Sequence, residues 1–375
     1  MLRMFVRILR TLVVGTLVAL CAAGCHDTAS TETVQPFDPD GHSFPHPGMA
    51  KCYFRIIGGN DRTADTKAIS VTYSNESRIA RWGLYIFDSS QNYVVSAVAS
   101  AGEGVLKYLN PGTYTICAIV NYPTSGVSAI NPAVQGSVST LSDLDSFVPR
   151  MEDMAGNEFI MYGSTSMTIT TAGETNAVID VRRVVSKVGI KKITLNWSNP
   201  GHASGTFELK RIYLINSYGV QALRSDITRA NMSSTKSLWF NAMGFHASGS
   251  RTATSGIDAM MADTGINTVI ANGSSYTTEH YFYTLPNACA PGEDSHSSTW
   301  SVRSTRMVIE ATCAGQIYYY SIQLPAMQRN KTYIADEVII KNLGSLDPEQ
   351  EVENSMTVRF GFSTSWDDVN VTENS

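Results

Sequence analysis

The sequence predicts an all-β fold of two β-sandwiches in series, and three observations carry that prediction. From residue 51 onward the chain is a succession of short apolar or alternating runs rich in Val, Ile, Tyr and Thr, cut by Gly, Asn, Ser and Asp, which is the pattern of strands joined by turns. Helical periodicity is scarce, so no strand-helix-strand alternation builds a parallel α/β sheet. A turn cluster, Asn199-Pro200-Gly201-His202, falls near the middle and separates two stretches of similar texture.

The expected strands of the first stretch cover residues 52–57, 68–73, 82–87, 93–98, 114–121, 166–170, 177–181 and 184–195. Those of the second cover 206–215, 280–285, 306–312, 316–324, 333–341 and 356–362. Short helical pieces are expected at 141–151, 227–233 and 257–262. Residues 241–278 and 289–300, rich in Ser, Gly, Thr and Ala, read as long loops, the places where a rigid sandwich usually carries binding. The expected organisation is therefore residues 1–24 as a signal peptide, 25–49 as a disordered linker broken by Pro36, Pro39, Pro45 and Pro47, 50–200 as an N-terminal sandwich and 201–375 as a C-terminal sandwich.

The signal is read from Arg3, Arg7 and Arg10 ahead of an apolar run at 12–20 that closes on Ala22-Ala23-Gly24-Cys25. A basic start, an apolar segment too short to cross a bilayer and small residues at the cut describe export. A cysteine directly after them resembles the bacterial lipobox, with Cys25 as the lipidated residue; Ala22 stands where a branched residue is usual, and Cys21, preceded by Leu20, is the poorer acceptor. The mature chain is expected outside the cytoplasm. Without the three signal arginines, 28 basic residues become 25 against 33 acidic ones, a net charge of about −8, which disfavours nucleic acid as a partner.

Motifs for catalysis or metal binding are missing from the sequence. Cys52, Cys117, Cys289 and Cys313 have no C-x-x-C spacing; an exported protein permits pairs within each half, Cys52 with Cys117 and Cys289 with Cys313, and buried free thiols in strands suit the pattern equally. The histidines form no H-E-x-x-H or H-x-H group, and no G-x-S-x-G elbow occurs. The acidic neighbours Glu152-Asp153, Asp367-Asp368 and Glu349 with Glu351 read as solvated carboxylates at turns. No catalytic, cofactor-binding or metal residue is assigned, and the chain is expected not to be an enzyme.

The informative stretch is 50–63, where the strand ending at Ile57 runs into Gly58-Gly59-Asn60-Asp61-Arg62-Thr63. A Gly- and Asn-rich turn closing on an arginine is readily cut by a trypsin-like protease. Loss of the preceding strand would open a groove that another strand could fill through main-chain hydrogen bonds and side-chain pockets.

Over almost its whole length the chain resembles the Bacteroidetes fimbrillin superfamily, the lipoprotein precursors of type V pili. The resemblance rests on the lipobox at Cys25, the first strand followed by Arg62, the run Trp82-Gly83-Leu84-Tyr85-Ile86-Phe87-Asp88, and Leu109-Asn110-Pro111-Gly112-Thr113-Tyr114 with Ala118-Ile119-Val120-Asn121. It continues through Arg183-Val184-Val185-Ser186-Lys187-Val188-Gly189-Ile190 and Asn330-Lys331-Thr332-Tyr333 to the last strand near Trp366. It implies two transthyretin-like sandwiches, cleavage after Arg62 that removes the strand at 50–57, and donor-strand polymerisation with other fimbrial subunits. Met356, Val358, Phe360, Phe362 and Trp366 would belong to the donor strand. The implied protein is a tip or accessory subunit, otherwise a stalk subunit, of a surface fimbrium serving adhesion and biofilm formation. Its lipid on Cys25 (palmitate) would hold it to the outer membrane before processing, and a host or bacterial surface ligand is an implied partner. The alternative is a monomeric surface lipoprotein binding glycan through Trp239, Phe240, Trp300 and Tyr318 to Tyr320, aromatic residues that more often pack inside sandwiches. A secreted hydrolase is the least supported class.

Overall fold

The strands are arranged as two pairs of facing sheets, and the fold is nearly all β. The computed structural model describes residues 48–57, 76, 78–126, 128–154, 158–241, 260–293 and 300–365. The expected strand at 68–73, and Cys25, Arg62 and Trp366, lie outside the described residues.

The first pair of sheets is built from β1 (Ala50–Ile57), β2 (Arg81–Phe87), β3 (Tyr93–Ser100), β4 (Val105–Leu109), β5 (Gly112–Val120), β6 (Met161–Ile169), β7 (Glu174–Asp180) and β8 (Arg182–Arg183). A three-stranded sheet in the order β4-β1-β7 faces a five-stranded sheet in the order β3-β2-β5-β6-β8. Phe54, Val105, Ile179, Trp82, Leu84, Ile116 and Met161 meet in the core between them.

The second pair comprises β9 (Ser186–Ile190), β10 (Ile193–Leu195), β11 (Phe207–Ile215), β12 (Ser217–Tyr218), β13 (Trp239–Phe240), β14 (Ala262–Val269), β15 (Ser275–Tyr276), β16 (His280–Thr284), β17 (Arg306–Cys313), β18 (Gln316–Gln323), β19 (Lys331–Ile340) and β20 (Met356–Ser365). One sheet runs β15-β10-β19-β9-β16 with β20 on the free side of β19; facing it is β14-β11-β17-β18, and β12-β13 form a small separate ribbon.

The five-stranded sheet is covered on both faces. Trp82, Leu84 and Ile86 of β2 and Ile116 and Ala118 of β5 point into the first core. Tyr85, Phe87, Cys117 and Ile119, one residue out of phase, point the other way, into a core shared with Val138, Leu141, Leu144, Phe147, Met151 and Met154 and continuous with Val188, Phe207, Leu214 and Val338 of the second pair. Two-sided burial explains why 82–87 and 116–120 are apolar throughout rather than alternating. Gly83 is required there, because a Cβ would lie 2.2 Å from Pro132 Cγ in the overlying connection.

Several expected elements change under these tertiary contacts. The run 184–195 is two strands, and they pair with β19, Lys187–Ile190 against Thr332–Ala335 and Ile193–Leu195 against Val338–Ile340. The break coincides with a register shift along the other edge of β19, in its ladder with β20, between Ala335 and Glu337. The helical reading of 141–151 gives way to 3-10 turns at Leu141–Ser146 and Met151–Met154. Between them the chain is extended by Pro149 and by ladder bonds, Gln221 N to Pro149 O at 3.0 Å and Met151 N to Gly219 O at 3.3 Å. The piece at 227–233 reduces to a 3-10 turn at Arg229–Asn231. Met260 and Met261 are helical, within the expected helical piece at 257–262, whose residues 257–259 lie outside the described residues; β14 then begins at Ala262, inside the stretch 241–278 that reads as loop.

Polar ties reinforce the junction. Asn121, in the left-handed region at φ 53, ends β5; its amide donates to Arg78 O at 2.7 Å and Phe159 O at 3.0 Å and accepts from Ala80 N at 2.9 Å. Buried Arg183 donates to Glu76 O at 2.8 Å and to Asn330 Oδ1 at 3.2 Å. Lys187 Nζ lies 2.8 Å from Glu76 Oε1, which also accepts from the Tyr283 hydroxyl.

Truncating Leu144, fully buried in the shared core, to alanine is expected to lower the unfolding free energy by about 2–5 kcal/mol. Denaturant unfolding followed by tryptophan fluorescence and far-UV circular dichroism should stay coincident; two separated transitions would contradict a core common to both sheet pairs.

Candidate functional site

The site is the position of β1. It pairs antiparallel with β4, from Ala50 opposite Leu109 to Phe54 opposite Val105, and parallel with β7, from Lys51 opposite Glu174 to Ile57 opposite Asp180. Bonds at the two ends of the parallel pair, Lys51 N to Gly173 O at 2.6 Å and Val181 N to Ile57 O at 2.9 Å, fix its register. The sheet order makes β1 the strand that joins β4 to β7. Its alternate residues Ala50, Cys52 and Phe54 are at most 1 % exposed, while Lys51, Tyr53 and Arg55 face outward, with Lys51 Nζ 3.4 Å from Glu174 and 5.0 Å from the centroid of the Tyr53 ring. Removing β1 would therefore leave two unpaired strand edges and an apolar slot.

Burial sets the chemistry of the slot. It pushes the Cys52 thiol up to about 11, because a thiolate cannot be solvated there. The four cysteines beyond Cys25 are free and buried. Cys52 and Cys117 cannot pair as strand neighbours would, since Cys52 belongs to the first core and Cys117, on the opposite face of β5, to the shared one.

Towards the C-terminus, β20 has one neighbour among the described residues, β19, and the register slips between Thr332 and Ile334 and again between Ala335 and Glu337. Met356 and Val358 pack partly against the core, whereas Phe360 is 41 % exposed; no side-chain description extends to Phe362. The loop before β20 is held firmly. Glu349 and Glu351, expected as solvated carboxylates, accept from Arg303 and Arg306 at 2.7 Å each, and Glu349 also accepts from Asn216 at 2.9 Å. Backbone bonds between Tyr319 and Ser345, 2.8 and 2.9 Å, pin the same loop against β18.

Other polar groupings are engaged in structure. His280, on β16, places Nδ1 2.6 Å from Asp263 of β14 and Nε2 2.9 Å from the Tyr276 hydroxyl of β15, so both ring nitrogens are used to tie three strands together. A cleft of about 470 Å³ is lined by Arg81, Pro123, Thr124, Gly126, Arg150 and Asp153 among others. Two of its charged residues are engaged in structure: Arg81 contacts Glu158 at 3.2 Å, and Asp153, its pKa raised by burial, accepts from Arg150 N at 2.8 Å. No group of three His, Cys, Asp or Glu residues suited to a metal ion occurs among the described residues, and no described helix is long and apolar enough to cross a membrane. Of the aromatics considered for glycan, Trp239 and Phe240 are 0 % and 2 % exposed. Trp239 packs against Trp300 at 5.4 Å and Tyr218 at 5.0 Å, so these rings are core rather than a platform.

Sequence reading found the strand at β1 but missed its central place, since its parallel partner lies 123 residues away. It also missed the loop clamp, because separated arginines and glutamates carry no pairing signal.

Comparison with known proteins points one way. Residues 67–218 match the family model of the fimbrillin-A associated anchor proteins Mfa1 and Mfa2. Among solved structures, a candidate cell adhesion protein from Bacteroides eggerthii superposes with a TM-score of 0.58 at 14% identity, covering 85% of this chain and 96% of that one. A fimbrilin (FimA) from Porphyromonas gingivalis gives 0.58 at 13%, covering 84% and 97%. A candidate cell adhesion protein from Parabacteroides distasonis gives 0.57 at 11%, covering 85% and 100%. At such identities the likeness is one of fold. The curated proteins contain no match. The resemblance to the fimbrillin superfamily read from the sequence is borne out by the family match over residues 67–218 and the shared fold.

With β1 seated, Cys52 should resist alkylation at pH 8, where its thiolate fraction is very small. It should react as soon as the protein is denatured, as read by mass spectrometry against a Cys52→Ser control. Fast labelling of the native chain would show that the slot is already open.

Proposed function

We propose that this chain is a structural subunit of a cell-surface fimbrium, exported as a lipoprotein through Cys25 and assembled by strand exchange after cleavage at Arg62 frees β1. The observation that carries the reading is the position of β1: it precedes the expected cut, and it is the strand joining β4 to β7. A single backbone cut distal to it separates one complete structural strand from the remainder. Of the neighbouring arginines Arg55, Arg78 and Arg81, the first and the last are poorer sites for a protease, which needs an extended, unpaired backbone. Arg55 sits in a strand paired on both sides, and Arg81 begins β2 and is bound to Glu158. The edge strand β20, with Met356, Val358, Phe360 and Phe362 in alternation and Trp366 beyond, is the donor in this reading.

The subunit position we favour is tip or accessory, otherwise stalk, on the surface of the outer membrane, with other fimbrial subunits as partners and adhesion and biofilm formation as the consequence. One observation favours a second position: the family matched over residues 67–218 is named for anchor proteins, and an anchor would keep β1 and its lipid. The expected division at residue 200 is proposed as the chain-level limit of the two halves, with β9 and β10 lending strands across it to the second pair of sheets.

Limited trypsin digestion of residues 26–375, followed by N-terminal sequencing, should give a first cut after Arg62. Adding candidate partner subunits should then give oligomers that survive detergent. A first cut elsewhere, or a clean cut whose product stays monomeric with every partner offered, would turn the assignment to an anchor or a monomeric lipoprotein.

A further inference from the structure

We infer that the slot vacated by β1 selects a donor strand from a different subunit, one whose inward residues run small, small, aromatic at alternate positions. The inference rests on the strand-exchange reading above and names the partner of that site. The template is β1 itself. Ala50, Cys52 and Phe54 are the fully buried residues, with Ile56 packed less completely behind them. Ala50 lies opposite Leu109, Cys52 between Lys107 and Thr175, and Phe54 between Val105 and Ala177. Tyr114, in the same core as Cys52, has its hydroxyl fixed to Asn110 O at 2.8 Å. A close-packed interior admits little added volume at the first two positions, while the third needs an aromatic ring to avoid leaving a cavity.

The terminal segment of this chain does not supply that order. In the same direction and register Met356 falls on the Ala50 site and Val358 on the Cys52 site, with Phe360 on the Phe54 site. A shift of two residues puts Phe360 against the Cys52 site. The opposite face of the strand offers Thr357, Arg359, Gly361 and Ser363, which fills no aromatic site. Read in either direction, no stretch from Met356 to Ser375 has two small residues and an aromatic at successive alternate positions. Homopolymerisation through β20 is thus disfavoured at this subunit's own groove, whereas β20 remains free to fill a roomier slot on a neighbour. A subunit that accepts one kind of strand and presents another is suited to a single place in a filament.

The test uses the intact chain nicked at Arg62, with β1 still seated, and follows displacement of the nicked fragment by mass spectrometry. Three peptides are offered: residues 50–57, the same peptide carrying Ala50→Met and Cys52→Val, and residues 356–363. The first should displace the fragment at least tenfold more effectively than the other two. In the unnicked chain, Ala50→Met should lower the melting temperature, which reports the tightness of the pocket independently of exchange. Equal displacement by residues 50–57 and 356–363 would overturn the selectivity and leave strand exchange standing. If residues 50–57 fail to exchange as well, the strand-exchange reading fails and this inference falls with it.

Discussion

Two strands of the first sheet, β4 and β7, are held together by the one that lies between them. Backbone donors and acceptors inside a protein must be paired, and β1 satisfies one edge of each neighbour while delivering Phe54 to the core. Elsewhere in the first pair of sheets the ladders are antiparallel, β2 with β3 and β5, β5 with β6. Within that pair, among the described residues, the β1–β7 ladder is the parallel one, and it joins residues 51–57 to 174–180. β1 is thus a keystone of the sheet, so the loss of this one strand would reach straight into the core.

Much of the remaining packing does not involve β1. The five-stranded sheet has β1 on neither edge, and its outer face is sealed by the connection through Leu141, Leu144, Phe147 and Met151 into the second core. Arg224 ties the same connection by contacts to Leu141 O at 3.0 Å and Asp145 at 2.9 Å. An opened slot between β4 and β7 leaves the outer face of that sheet unchanged, and force applied to one half passes to the other through packed side chains rather than a linker.

Much of this was legible from the sequence where burial is two-sided. Residues 82–87, 116–120, 306–313 and 333–340 are apolar enough to name themselves as strands, and their number implies sandwiches. The polar edges were hidden. β14 reads Ala-Asp-Thr-Gly-Ile-Asn-Thr-Val and is half solvated, with Gly265 and Asn267 at positive φ, so it has the composition of a loop. β4 is short and carries Lys107 at its centre. The 3-10 turns at 141–154 have helix-like spacing, but the extended stretch between them is dictated by pairing with residues 219–221, a contact no local pattern contains. The candidate site was half visible: the strand and the arginine after it stand in plain sequence, whereas the parallel partner that makes the strand central does not.

A cut after β1 changes its hold without touching a contact. While the chain is continuous, β1 is presented to its slot at an effective concentration of roughly millimolar, the scale for short flexible links. After the cut the same contacts must hold a free fragment at whatever concentration the cell surface provides, and dilution favours its departure. A strand carried by an adjoining subunit regains the tethered advantage. Affinity for the slot alone therefore does not choose the occupant; tethering supplies the strand and side-chain size accepts or rejects it. With Ala50 and Cys52 buried and Phe54 filling the core, rejection is steric and resides in two small residues, while β20 is a strand with one neighbour and a partly exposed aromatic face. On the strand-exchange reading proposed above, such a chain would be readier to give β20 than to receive a copy of it.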